Sequence, residues 1–425
     1  MSFIDDFSIK LHINTDTILT LNSTNYLTSL ELLSSLDGDA SVYDASPSSK
    51  SVMFGVDYYN NAPFYNLFSK GLKCELYKKE KRLGVFYITD CTLPTSSDEY
   101  VATITSYDLL YNLINQDITP EFEVLDGVDV KEYIKQVFIS VGVPADKIVV
   151  SEKISGSLNY SICQGKTLAE ILKEYCLATD TFITVDADEN ICVVPKVQEI
   201  PENCPVLDDS VLYGLDLGST FKDAYTGIKL LYNRLTIGEQ EELLKIDTTL
   251  QPNIMTELLN NELDNPLYII NTVKIDNCFS NLDYIKASQN LLSLGITSQE
   301  VEEKTASISV FCKYINFVES FVTKTTDATN ENLIQLKSQL IQDTKTADII
   351  LSSLFERLNK RIISGYIMPD DFDIELCKIF NISSNEKGLN PIYAYVHSYR
   401  FSIIEGDVDL VITLKEIKGV EESGI

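Results

Sequence analysis

The sequence has no tryptophan and only two histidines, His12 and His397, among its 425 residues. So few imidazoles leave little material for a zinc finger, and no finger spacing is present. The nine cysteines are odd in number, scattered, and never form a C-x-x-C pair. They argue against a disulfide framework. Cys163, Cys176 and Cys192, at inward-facing or strand positions, read as small apolar core thiols in a reducing cytoplasm. There is no run of eighteen apolar residues, so no helical membrane span is expected. The opening MSFIDDFSIK lacks both a basic start and an apolar stretch, so no signal peptide is expected. Basic residues are also few, 34 against 63 acidic, for a formal net charge of −29. A groove that grips nucleic acid needs clustered Lys and Arg to displace counterions, and specific nucleic-acid binding is therefore not expected. The longest basic cluster, Lys78-Lys79-Glu80-Lys81-Arg82, reads as an ordinary hairpin turn.

The catalytic signatures are missing too. No G-x-S-x-G elbow, H-E-x-x-H or G-x-G-x-x-G occurs. The acidic pairs Asp208-Asp209 and Asp370-Asp371 have the chemistry that glycoside hydrolysis uses, but with 63 acidic residues such neighbours arise by chance. His397 alternates with tyrosines in a strand pattern and reads as packed or interfacial; His12 reads the same way. No catalytic, cofactor-binding or metal-ligating residue is assigned, and no cofactor is expected.

What the chain does have is tyrosine, 23 of them, with 18 phenylalanines. Tyrosine suits surfaces that are buried in an assembly yet keep a polar tip, a mild lean towards an interaction protein. The most legible stretch is 165–196, GKTLAEILKEYCLATDTFITVDADENICVVPK. Thr167 and Glu170 form a T-x-x-E capping box. Leu168, Ile171, Leu172, Tyr175 and Cys176 then share one helical face. Phe182, Ile183 and Val185 make a short strand, Asp186 to Asn190 a polar turn, and Ile191, Val193 and Val194 the return strand that Pro195 ends. Two lures lie inside this unit. Gly165-Lys166-Thr167 imitates a phosphate loop, but the glycine required five residues earlier is Tyr160. Asp186-x-Asp188-x-Asn190 imitates a calcium loop, but its sixth and twelfth positions are Ile191 and Val197. A capped helix and a hairpin tip are the better readings.

Elsewhere the pattern is strand-rich at both ends. Ser8 to Ile13, Asp16 to Leu21, Ser51 to Asp57, Leu72 to Tyr77, Gly84 to Thr89 and Tyr100 to Ser106 are expected strands, with an exposed loop at 36–50. Tyr107 to Asn115 reads as helical. Asp129 is expected to cap a second helix in a box with Glu132, and Gly142 to end it. Residues 199–207, with two prolines, mark a hinge or boundary. Lys229 to Arg234, Tyr268 to Ile275 and Thr305 to Val322 read as strands, and Ser280 to Leu294 as a helix. Residues 327–361 read as one long polar helix or two, with Leu333, Leu340, Ala347 and Leu354 at seven-residue spacing. Packing on the chain's own sheet is preferred to a coiled coil for that seam. A closing hairpin runs from Ile392 to Ile404 and back from Asp409 to Ile417. No internal repeat is found. The expected class is α+β, with two small β-barrel-like domains and intervening helix-plus-hairpin domains. The divisions are 1–110 (barrel-like), 111–198 (helix and hairpin), 199–325 (second β-rich, barrel-like region) and 326–425 (helical segment and terminal hairpin).

Three places resemble the baseplate hub proteins of contractile phage tails and related injection machines. LGVFYITDCTLPTSSDEYVATITSYDLLYNL (83–113) is similar to the ending of the hub's first barrel. The 165–196 unit is similar to its G-x-T-capped helix and acidic-tipped hairpin. PIYAYVHSYRFSIIEGDVDLVITLKEI (391–417) is similar to its terminal hairpin. Residues 323–390 depart from the family in their helix content and read as an insertion or docking arm. The resemblance implies a homotrimer whose barrels form a six-fold-like ring, joining a threefold spike to a sixfold tube. The implied partners are the tail tube, central spike, tape-measure and baseplate wedge proteins. Assembly in the bacterial cytoplasm, a place in the baseplate of a phage, bacteriocin or other injection particle, and a structural, non-enzymatic role are implied as well. Some of the excess carboxylates are then expected to line the ring's channel. The competing readings are a wedge or tail-tip component and a tail-associated cell-wall hydrolase.

Overall fold

The computed structural model describes residues 3–35, 47–57, 68–93, 100–115, 123–124, 128–158, 161–162, 166–196, 200–218, 225–247, 268–278, 305–326, 332–358, 360–367, 374–404 and 407–419. Seven strands come first: β1 (Phe7–His12), β2 (Ile18–Asn22), β3 (Leu27–Ser35), β4 (Ser49–Asp57), β5 (Lys73–Lys78), β6 (Lys81–Thr92) and β7 (Val101–Tyr107), and helix α1 (Leu109–Ile114) follows. The middle holds β8 (Glu123–Val124), β9 (Val128–Asp129), α2 (Val130–Ser140), β10 (Ile148–Val150), β11 (Ser157–Leu158), β12 (Ser161–Ile162), α3 (Leu168–Thr179), β13 (Thr181–Val185) and β14 (Ile191–Pro195). After it come β15 (Val206–Leu207), β16 (Leu212–Gly218), β17 (Gly227–Asp247), β18 (Tyr268–Cys278) and β19 (Thr305–Thr325). The chain closes with β20 (Leu333–Ser338), α4 (Thr344–Arg357), β21 (Ile362–Ile367), β22 (Ile379–Ser384), β23 (Leu389–Ile404) and β24 (Asp407–Gly419). The described structure is thus mostly β-sheet with few helices.

The chain divides into two compact units, Met1–Leu230 with Val322–Leu340 and Lys345–Ile425, and Leu231–Phe321 with Ile341–Thr344. The first is dominated by one large sheet, in the order β16-β21-β24-β23-β3-β4-β7-β6-β5-β1-β2, with β22 branching onto β23 and β15 onto β22. Among the described residues that order is open, with β16 and β2 at its ends. Strand β1 shows why the sequence folds so: Phe7, Ile9 and Leu11 alternate with polar residues and are all buried. Lys79-Glu80 turns β5 into β6, as the basic cluster led one to expect. The join between the two ends of the chain is β23 against β3, Tyr399 opposite Ser34 and Ile403 opposite Leu30. One core accordingly mixes Leu11, Phe54 and Ile104 with Ile363, Val396 and Ile412, and Phe7 stacks on Phe401 at 5.1 Å.

The middle of this unit is the helix-and-hairpin region. Strands β10, β14 and β13 form a small mixed sheet, with β10 parallel to β14. The apolar face of α2 is buried through Tyr133, Ile134, Val137 and Phe138. Tyr133 stacks on Tyr175 of α3 at 6.1 Å, and the Tyr175 hydroxyl donates to Val130 O (3.1 Å). Gly142, at φ +90°, ends α2 in a conformation that a side chain would strain. The α3 capping box is present with both reciprocal bonds.

Several expectations need correction. Residues 333–338 are a strand and not part of a long helix, with buried Leu336 and Ser338 alternating with exposed Gln335 and Lys337; the helix starts only at Thr344. The seven-residue leucine spacing is compatible with both geometries at its start, which is why it misled. From Leu340 onward the seam does pack inward, with Leu340, Ala347 and Leu354 buried. Asp129 caps α2 through a bond from Lys131 N (2.7 Å), but Glu132 turns instead to Gln136 Nε2 (2.6 Å), because Asp129 already sits in a strand pair opposite Ser157. The described part of the proline-bearing segment is mostly exposed; within it Val206–Leu207 pairs parallel to β22, and Cys204 Sγ lies 3.3 Å from Ile379 O. The expected helix at 280–294 lies outside the described residues, as do 36–46 of the expected loop.

In the second unit β18 runs antiparallel to β19, from Tyr268 opposite Tyr314 to Cys278 opposite Thr305. The Tyr232 hydroxyl meets Thr344 Oγ1 at 2.8 Å, and Leu235 N donates to Gln342 O (3.0 Å).

Candidate functional site

The polar side chains that the sequence brought forward gather where the β13–β14 hairpin meets the β5–β6 hairpin, within the first unit. Asp186 organises the tip. Its Oδ1 accepts from Asp188 N and Asn190 N (2.8 Å each), and its Oδ2 from Asn190 Nδ2 (2.9 Å). This side chain mimics a backbone turn, which is why aspartate suits the position. Asp188 and Glu189 then reach the neighbouring sheet. Glu189 Oε2 pairs with Lys73 Nζ at 3.0 Å and Oε1 accepts from the Tyr87 hydroxyl. Arg82 binds Asp188, and Lys147 Nζ donates to Asp188 O (2.9 Å). The apparent calcium loop is therefore a clamp in which the chain's own cations meet its carboxylates.

Arg82 links the clamp to a second cluster. Its Nη1 lies 3.5 Å from Glu75 Oε1, His12 Nε2 is 3.5 Å from the same oxygen, and the Tyr77 hydroxyl donates to Oε2 (2.8 Å). Burial alone would raise the Glu75 pKa, but the Tyr77 bond and the neighbouring His12 and Arg82 hold it below the usual carboxylate range. This is where His12 sits. His397 is packed in β23 with 7% of its surface exposed.

Beside the clamp lies a half-open cleft of about 340 Å³. Phe7, Leu32, Tyr399 and Phe401 line it together with Phe182 and Val194 of the hairpin; Ile374, Glu375 and Leu376 also contribute. Lys50 lies in it and donates from Nζ to Val185 O (2.7 Å). Burial holds the Lys50 pKa down against the raising influence of Asp108, Glu375, Asp186 and Cys192. Asp108 caps α1, accepting from Tyr111 N (2.9 Å), and also binds Lys50 N (2.7 Å). Burial pushes its pKa up to about 6, although these amide bonds and the Lys50 charge oppose the rise. A second buried pair ties α3 to α4. Asp180, the left-handed cap of α3, accepts from Arg357 Nη1 (3.0 Å), Arg357 Nη2 (2.5 Å) and Ser353 Oγ (2.6 Å). Burial would raise Asp180, but Arg357, Lys196 and Ser353 outweigh it and hold the carboxyl below its ordinary value.

The remaining sequence candidates have structural employment. Lys166 bonds Glu174 (3.1 Å) and Gln339 (2.7 Å), and Thr167 caps α3. Asp208 organises its own turn through Ser210 N (3.0 Å). Asp209 instead fixes the β22–β23 turn through Asn385 N (2.7 Å). Asp370-Asp371 lies outside the described residues. Burial raises the Cys74 and Cys176 thiols to about 12, so both are neutral at any physiological pH. Among the described residues no cluster of three or more His, Cys, Asp or Glu could hold a metal ion, and no helix is long and apolar enough to cross a membrane. The Lys50–Asp108 and Asp180–Arg357 contacts were not anticipated. They join positions 58 and 177 residues apart, and no local spacing signals them.

No family model matches the sequence, and no curated protein matches it. Solved structures do. The fold is similar to that of the tail protein from Neisseria meningitidis MC58, with a TM-score of 0.56 at 8% identity, covering 96% of both chains. It is equally similar to the 43 kDa tail protein of prophage MuSo2 from Shewanella oneidensis, with a TM-score of 0.56 at 12% identity, covering 96% of this chain and 97% of that one. The chain thus has, over nearly its whole length, a fold found in phage-type tail proteins. That is the fold to which the three sequence stretches pointed.

Proposed function

We propose that this protein is a structural component of a phage tail or tail-like particle, and within it the baseplate hub. The observation that carries the reading is the breadth of the likeness: 96% of the chain aligns with nearly all of each tail protein. The three stretches that resemble hub proteins fall on β6–β7–α1, on α3–β13–β14 and on β23–β24. They thus supply both the main sheet and the unit clamped against it. In this reading 1–110 and 199–325 act as the two barrel-like modules, 111–198 as the helix-and-hairpin module, and 326–425 as an arm with a terminal hairpin. Three copies close a ring that matches a threefold spike to a sixfold tube, and contact tape-measure and wedge proteins. The work is done by packing rather than chemistry. The clamp's carboxylates are engaged by neighbouring cations and amides, and the deep thiols are neutral.

Light scattering on the purified chain tests the ring. Three copies of 47.7 kDa, about 143 kDa in all, are expected, with threefold particles in negative stain and co-assembly with a tail tube protein. A monomer at micromolar concentration that ignores the tube protein would sink the hub reading. A zymogram on cell-wall substrate separates the hydrolase alternative, and no clearing is expected.

A further inference from the structure

The cleft beside the clamp is lined by polar groups that the clamp leaves unserved. Lys50 Nζ carries three N–H donors, yet among the described residues it bonds one acceptor, Val185 O (2.7 Å). Asp108, Glu375 and Asp186 act on its charge, but among the described residues none of them forms an ion pair with it. Thr184, the neighbour of Val185, lines the same cleft, and its Oγ1 is buried without a partner. Arg82 commits its two terminal nitrogens to Glu75 and Asp188, while its buried Nε has no partner. Two more orphaned hydroxyls flank Lys50. Ser34 stands opposite it across the β3–β4 pairing, and Ser48 lies two residues before it, with its amide on Ile183 O (2.8 Å). Both serines are fully buried. A buried polar atom without a partner is costly, so a gathering of them in one region calls for a common occupant.

That occupant must accept from Lys50 and Arg82, and it must also sit beside Asp186 and Glu375 in the lining. A small anion fails the second condition, because the carboxylates repel it. A hydrocarbon fails the first. Water meets both, since it donates and accepts. The cleft, at about 340 Å³, has room for several molecules at roughly 30 Å³ each in the liquid. We propose that a cluster of ordered water molecules is built into the seam between the β13–β14 hairpin and the main sheet. It solvates the Lys50 ammonium, bridges it to the surrounding carboxylates, and serves Thr184 Oγ1, Arg82 Nε and the two serines. The cleft is then a structural water site and not a pocket for an apolar ligand, despite the rings of Phe7, Phe182 and Phe401 in its lining. The inference rests on the cleft alone and is independent of whether three copies close a ring.

Crystals of the full-length protein that diffract finely enough to show solvent test the site directly. Water is expected within about 3.2 Å of Lys50 Nζ, and on Thr184 Oγ1 or Arg82 Nε. A carboxylate found directly on Lys50 Nζ in place of water would overturn the proposal. Xenon pressed into the same crystals is the apolar probe. It enters dry cavities, so no xenon is expected in the cleft, and density for it beside Phe182 or Thr184 would overturn the proposal as well. A third measurement needs no crystal. Oxygen-17 relaxation dispersion reports water held by the protein for longer than bulk exchange allows. Lys50→Met removes the ammonium and puts an apolar chain in its place, and it should lower the dispersion relative to wild type. A thermal melt checks that this variant folds; if it does not, Thr184→Val, which keeps the shape and removes the hydroxyl, takes its place. A dispersion unchanged from wild type would show that the cleft holds no ordered water.

Discussion

Asp108 and Asp180 are two buried aspartates whose environments push them in opposite directions. Asp108 has a folded-state pKa of about 6, above its unfolded value. Its contribution to stability is therefore fully present below about pH 4 and lost as pH rises through 6, on the order of 3 kcal/mol in all. Asp108→Asn keeps an acceptor for Tyr111 N, and asparagine is as good a cap as aspartate. Urea denaturation at a series of pH values should show a fall in wild-type stability between pH 4 and 6 relative to this variant; identical pH profiles would contradict the assignment. Asp180 is depressed instead, so its contribution is present above the unfolded carboxylate value and lost as pH falls through the lower, folded one. At this scale the sequence was legible where partners lie three or four residues apart, as in Thr167–Glu170 and Asp186–Asn190. It was silent about Lys50–Asp108 and Asp180–Arg357, because a pair brought together by tertiary folding leaves no periodic trace.

Among the elements, α4 is tied to α3 by a buried charged contact. Its Arg357 forks onto the Asp180 carboxylate, and both side chains are mostly buried, 11% and 14% exposed. Arg357→Ala would leave that carboxylate buried without its main counterion. Such a loss typically costs about 3–5 kcal/mol. The expected result is a lower melting temperature at pH 7, with the gap to wild type narrowing as pH drops below about 4 and Asp180 takes up a proton. A pH-independent gap would mean that lost packing, and not the charge, is responsible. The elements themselves were mostly readable. Strands β1, β2 and β4 to β7 and the β23–β24 hairpin alternate or carry turn residues at their ends, and α2 and α3 show their caps and apolar faces, whereas β3 was not anticipated. Strand β20 was misread, because leucines seven apart fit a helical seam while its residues in fact alternate.

At the scale of the molecule, the β3–β23 pairing joins strands more than 350 residues apart in the chain, for instance Ser34 to Tyr399. The sequence shows two strand-rich ends but not that they share a core, since register across such a distance depends on shape complementarity rather than on any local pattern. Removing residues 389–425 should therefore do more than fray a terminus. It uncovers β3 and takes Phe401 from Phe7. Hydrogen exchange in β3 and β4 should rise towards that of an unfolded chain, whereas protection retained there would show that the first seven strands stand alone. The same pairing also sets a schedule. During translation β3 leaves the ribosome long before β23 exists, so β3 waits with an unpaired edge until β23 is made, and closing that edge is a slow, long-range step. A chain terminated before β23 never receives that partner. The fold thereby checks its own synthesis: only a subunit made through β23 presents a joined β3–β23 sheet to whatever it assembles with.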